Sequence, residues 1–129
     1  MTPAPPGDAL RDYFRGLAAR DLAGLTDARL LAGYVEGGDA AAFEALVRRH
    51  GPMVYGVCRR VLAGHQDAED AFQATFLVLA RKAAAVAPRE FLPNWLHGVA
   101  HTTALQARRA AARRRKVAAQ TKAWREVKA

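Results

Sequence analysis

Between Asp39 and Val61 the apolar residues Phe43, Leu46, Val47, Val54, Val57, Cys58 and Val61 return again and again to one face of an α-helix. A half-buried strand would point every second residue inward, and no segment of the chain alternates in that way. The Gly51-Pro52 pair interrupts the stripe, yet its register carries across the break, so one kinked helix is expected rather than two separate ones. Asp39 is suited to cap its start. This pattern limits the chain to an all-α fold.

The remaining segments agree. After a Pro-rich leader, Leu10, Tyr13, Phe14 and Leu17 mark a short amphipathic helix. Thr26 or Asp27 is placed to cap a second helix, carrying Leu30, Leu31 and Tyr34 and stopping at Gly37-Gly38. A later helix is expected to open at Asp67, with Asp67, Glu69 and Asp70 where the helix dipole favours negative charge. Its core stripe is Phe72, Phe76, Leu79 and Ala83; a different face, Asp70, Gln73, Leu77 and Arg81, mixes polar and apolar residues. A mixed face of this kind fits either a second partner or an ordinary bundle helix.

A loop from Ala83 to Pro93, stiffened by Pro88 and Pro93, then leads into a helix expected from about Asn94 to Lys116. Leu96, Val99, Ala100, Thr103 and Ala107 can face its core. The expected architecture is a compact bundle of about four main helices with a basic C-terminal helix. Residues 1–24 are read as an extension, 25–116 as the helical domain, and 117–129 as a basic tail or the start of a linker.

Charge is segregated along the chain. Residues 1–93 hold 11 Lys/Arg against 11 Asp/Glu, whereas residues 94–129 hold 9 against 1, so the last segment carries the whole net charge of +8. Such a distribution suits a polyanion, although a solvated basic tail after Lys116 is the plainer alternative. On the last helix His97, His101, Leu105, Arg108 and Ala112 share one side, flanked by Arg109 and Arg113. A helix of that kind matches a DNA groove and its phosphates. Trp95 and the two histidines offer flat surfaces to unstacked bases, while Trp95 serves equally well as a core residue.

Other chemistries find little support. Cys58 is the lone cysteine, so no intramolecular disulfide exists and a cytoplasmic location is expected. The N-terminus lacks the basic and apolar regions of a signal peptide, and no apolar run reaches the length of a membrane span. His97 and His101 stand one turn apart, but no Cys or acidic pair joins them at metal-ligand spacing. Neither a Gly-rich phosphate loop nor a Ser/His/Asp pattern is present. No enzyme, metal site or cofactor is expected.

Three pieces, in order, carry a family resemblance: Asp39-Ala-Ala-Ala-Phe-Glu-Ala-Leu-Val-Arg-Arg-His50 with Gly51-Pro52, then Asp67-Ala-Glu-Asp-Ala-Phe-Gln73, then Asn94-Trp95-Leu96 with Val99-Ala100. Together they resemble region 2 of bacterial RNA polymerase sigma factors, and more narrowly the extracytoplasmic-function (ECF) group, over about Leu25 to Lys116. The resemblance implies a transcription initiation domain that binds core RNA polymerase and recognises and melts the promoter minus-ten element. Asp70, Gln73, Leu77 and Arg81 would dock on the clamp helices of the largest polymerase subunit. The Ala83–Asn94 segment would capture a flipped base, bringing Arg89 and Asn94 to the DNA. The helix from Trp95 would follow the non-template strand and upstream duplex with His97, His101, Arg108, Arg109 and Arg113. An anti-sigma factor is a further partner by family analogy.

Two departures stand out. Family members usually carry Glu after the Gln of the docking helix, where this chain has Ala74. The family's second domain, a helix-turn-helix that reads the minus-thirty-five element, has no counterpart in these 129 residues. A truncated factor and a single-domain variant both fit. The competing reading is a stand-alone helical module whose basic helix binds single-stranded nucleic acid or an acidic protein. A membrane surface suits it poorly, because few large apolar residues follow Ala107.

Overall fold

The computed structural model describes residues 22–128, and the expected helix around Leu10 and Leu17 lies outside them. Four α-helices are present among the described residues: α1 (Asp27–Gly37), α2 (Ala40–Val61), α3 (His65–Lys82) and α4 (Leu92–Lys128). Two short 3-10 turns, Ala83–Ala85 and Arg89–Phe91, join α3 to α4. The all-α expectation holds.

Local chemistry explains the first two helices. Thr26 caps α1, its hydroxyl accepting from the Arg29 amide at 3.2 Å. The helix stops at Gly38, whose left-handed backbone (φ 60°) a side chain rarely adopts. There the Gly38 and Asp39 amides donate to the carbonyls of Tyr34 and Gly33, at 2.9 and 3.2 Å. Asp39 then caps α2 through Oδ1, which accepts from the Ala41 amide at 2.8 Å. As expected, α2 runs through Pro52 as one helix. Arg59 and Arg60 fall in its last turn, where the dipole favours positive charge.

Two helices have boundaries that differ from expectation. Helix α3 begins at His65, two residues before Asp67, with Gly64 as an N-cap that supplies no side-chain hydrogen bond. Helix α4 begins at Leu92 and continues to Lys128, well past Lys116. No Gly or Pro follows Gly98, and Ala, Arg, Lys and Gln dominate the extension, so nothing in the sequence stops the helix.

The core lies where α4 crosses α2 and α3, with α1 packed on α2. Leu30 and Leu31 of α1, Leu46, Val54 and Cys58 of α2, Leu79 of α3 and Leu96 of α4 are completely enclosed. Each such leucine contributes roughly 1.5–3 kcal/mol of burial. Helix α4 meets the bundle through Leu92, Leu96, Ala100 and Ala104, a stripe spaced by four whose alanines allow close approach. Val99, Thr103 and Ala107 are only half-buried beside it. From Ala112 onward every described residue is exposed, so α4 leaves the bundle as a free helix.

Polar ties lock the elements. Asp27 Oδ1 lies 2.9 Å from an Arg49 guanidinium nitrogen and 2.8 Å from Nε2 of His50, which is buried. The Tyr34 hydroxyl donates to the Ala80 carbonyl at 3.0 Å, joining α1 to α3. Thr75, fully buried, satisfies its hydroxyl by donating to the Ala71 carbonyl at 2.8 Å.

Candidate functional site

Two separate surfaces emerge from this frame. The first is the outer face of α3. Ala68, Ala71, Thr75, Phe76 and Leu79 turn inward, which leaves Asp70, Gln73, Leu77 and Arg81 all exposed along the opposite side. Leu77 is 58% exposed, an apolar side chain held in water among polar neighbours. Single exposed leucines are ordinary, but this one is centred on a polar face. Gln66 steadies Asp70 by donating to its Oδ1 at 3.0 Å.

Beside this face a surface groove of about 470 Å³ runs between α2 and α3, lined in part by Arg48, Pro52, Tyr55, Glu69, Phe72 and Gln73. Its wall is ordered by side-chain contacts that the sequence does not announce. The Tyr55 hydroxyl is 2.8 Å from His65 Nδ1, and His65 Nε2 is 3.2 Å from Glu69 Oε1. The tautomer with its proton on Nε2 satisfies both contacts. Phe72 stands edge-on to Tyr55 and Phe76, with ring centres 6.1 and 5.2 Å apart. The only local signal for this wall is the i, i+4 spacing of His65 and Glu69.

The second surface is formed by the α3–α4 connection and α4. Ala83, Val86 and Leu92 are buried and pin the connection, while Phe91 is 59% exposed at its end. The Ala87-Pro88 peptide is cis. Arg89 is not free: it forms an ion pair with Glu36 of α1 at 2.8 Å. A groove of about 590 Å³ follows, lined in part by Lys82 and Val78 of α3 and by Asn94, Trp95, Gly98 and Thr102 of α4. Trp95 is half-buried, one part packed on the core and the remainder lining the groove, so both expected roles fall to one side chain. Gly98 leaves open space, since nothing lies within 4 Å of the position its Cβ would take.

The expected DNA-contacting residues do not form one face. At 3.6 residues per turn, Arg113 lies five turns above Trp95 on the same side, and Arg109 lies about 40° away. His97 is about 160° round the helix from Trp95, and His101 and Arg108 sit near His97. All of His97, His101, Arg108, Arg109 and Arg113 are exposed. Helix α4 therefore presents basic or aromatic groups on two sides, with the core stripe between them on the inner flank.

Among the described residues no cluster of three or more His, Cys, Asp or Glu side chains is placed to hold a metal ion. No helix there is long and apolar enough to cross a membrane. Cys58 is buried, and that burial pushes its thiol above the usual range despite a smaller opposing backbone hydrogen bond.

The family model for sigma-70 region 2 matches residues 46–114, from the second turn of α2 through α3 and the connection into α4. No curated protein and no solved structure matches the chain. The matched span covers more than half of the 129 residues and contains both surfaces, and the chain belongs to the sigma-70 region 2 family.

Proposed function

We propose that this domain binds core RNA polymerase through the exposed face of α3, and reads and melts the promoter minus-ten element with the α3–α4 connection and α4. The family acts in transcription initiation and is not enzymatic. The observation that carries the proposal is the separation of the two surfaces: a mixed face centred on exposed Leu77, and a basic helix with a groove at Trp95. Asp70, Gln73, Leu77 and Arg81 are the polymerase contacts, received by the clamp helices of the largest subunit. The narrower assignment to the ECF group rests on the quoted sequence pieces, and an anti-sigma partner rests on family analogy alone. The work is done in the cytoplasm, where polymerase and promoter meet.

Melting here needs no bond chemistry. Removing a base from the stack costs a few kcal/mol, which preferential binding of the opened strand can offset. The groove at Asn94 and Trp95 offers the base a flat aromatic edge and an amide, while Arg109 and Arg113 supply phosphate attraction along the same side. His97, His101 and Arg108 are left for the upstream duplex on the other side. Arg89 would have to exchange Glu36 for a phosphate to take part.

The test is selection from random single-stranded DNA by core polymerase with and without the chain. Enrichment of a short motif only when the chain is present supports the reading. Equal retention in both samples contradicts it.

A further inference from the structure

The free part of α4 has a pattern of which promoter contact uses only Arg109 and Arg113 and polymerase docking uses nothing. Ala110, Val117 and Trp124 are seven residues apart, and Arg113, Gln120 and Val127 each follow by three. This is the alternation of three and four by which one helix lies along another in a coiled coil. Val117, Trp124 and Val127 are 60%, 61% and 80% exposed, so no part of the bundle covers them. A shallow depression at Ala110, Arg114, Val117 and Ala118 opens this side. One face of the Trp124 ring is taken by Lys128, whose Nζ sits 5.0 Å from the ring centre.

The positions flanking such a seam set partner choice, and here they carry Arg109, Arg114, Lys116 and Lys128 with no acidic residue among them. A second copy would bring like charges together at the flanks of the seam. An acidic helix would meet opposite charges on both flanks. Phosphates would satisfy the cations but leave Val117, Trp124 and Val127 without partners. We propose that the Ala110–Lys128 arm docks an acidic amphipathic helix of another protein chain in coiled-coil register. Polar Arg113 and Gln120 at alternate seam positions weaken the apolar contact, so charge and apolar packing are both required.

The arm and the polymerase-docking face of α3 are separate surfaces, and each fails or stands by its own measurement. The test titrates the full chain with a four-heptad synthetic helix carrying Leu on its seam and Glu on its flanks, against a scrambled peptide of equal composition. The ordered peptide is expected to bind at least about tenfold tighter than the scrambled one, because only it pairs the seam. Val117→Ser should remove most of that preference, and Trp124→Phe should abolish the change in tryptophan emission. Equal binding of the two peptides, no binding of either, or an unchanged preference in Val117→Ser would overturn the proposal. So would self-association of the free chain that Val117→Ser removes, or a loss of duplex DNA affinity in that variant matching its loss for the peptide. Failure of the unaltered chain to bind core polymerase would count against the polymerase reading alone.

Discussion

His50 Nε2 lies 2.8 Å from Asp27 Oδ1, tying a buried imidazole in the middle of α2 to the first residue of α1. The same oxygen receives Arg49 at 2.9 Å, and Arg49 also donates to the Ala23 carbonyl at 2.9 Å. One carboxylate thus fixes how α1 sits on the bundle. Asp27→Ala leaves two polar groups without their partner and should cost about 2 kcal/mol. Urea unfolding would show this as a lower midpoint at unchanged slope. A midpoint like that of the unaltered chain would remove the cluster from the account of stability.

Leu77 and Leu79 are two residues apart on α3 and should behave oppositely. Leu79 is completely buried, so Leu79→Ala is expected to cost about 2–5 kcal/mol. Leu77→Ala should change stability by less than about 0.5 kcal/mol, as for exposed sites generally. Thermal unfolding of the two variants checks the contrast. Comparable losses would mean that the face of α3 is assigned wrongly.

Cys58 is sealed among core residues, and its thiol is held protonated by burial. Because the folded pKa is raised, this group favours folding below the unfolded thiol's pKa, and that contribution fades as pH rises through the folded value. Alkylation of the native chain near neutral pH should be at least about 100-fold slower than in denaturant, since reaction needs an opening of the core. Mass spectrometry follows it directly. Equal rates would contradict the packing described for α2.

Replacing Arg108 and Arg109 by Ala should weaken binding to DNA that joins a duplex to a single strand, reducing the salt slope by roughly 0.9 for the duplex phosphate at Arg108 and about 0.7 for the single-strand phosphate at Arg109. The two residues stand about 100° apart round α4, so each single change should account for part of the effect. An unaltered slope in the double variant would exclude this stretch of α4 from the interface.

Much of this fold is legible in the sequence because its signals are local. Thr26, Gly37-Gly38 and Asp39 act within a few residues of themselves, and the stripe from Phe43 to Val61 repeats often enough to survive Pro52. Sequence alone puts the start of α3 two residues late because Gly64 gives no side-chain cap to recognise. It ends α4 too early because basic composition resembles a solvated tail, while helix propensity continues to Lys128. Of the site, the exposure of Asp70, Gln73, Leu77 and Arg81 follows from periodicity. The pairing of Arg89 with Glu36 does not, since the two are 53 residues apart and only tertiary packing brings them together. The split of Trp95 from His97 is present in the helical period, but net charge obscures it.

The most direct measurement is a pull-down of bacterial core RNA polymerase by the purified chain, with Gln73→Ala/Leu77→Ala as the comparison. Both residues are exposed, so the double variant should fold like the parent and show unchanged circular dichroism. Stoichiometric capture is expected for the parent, with at least about tenfold weaker affinity for the variant, as for a small apolar hot spot on an interface. Equal capture by both chains would contradict the docking face. No capture by either, beside salt-sensitive binding of single-stranded DNA, would instead leave a stand-alone nucleic-acid module.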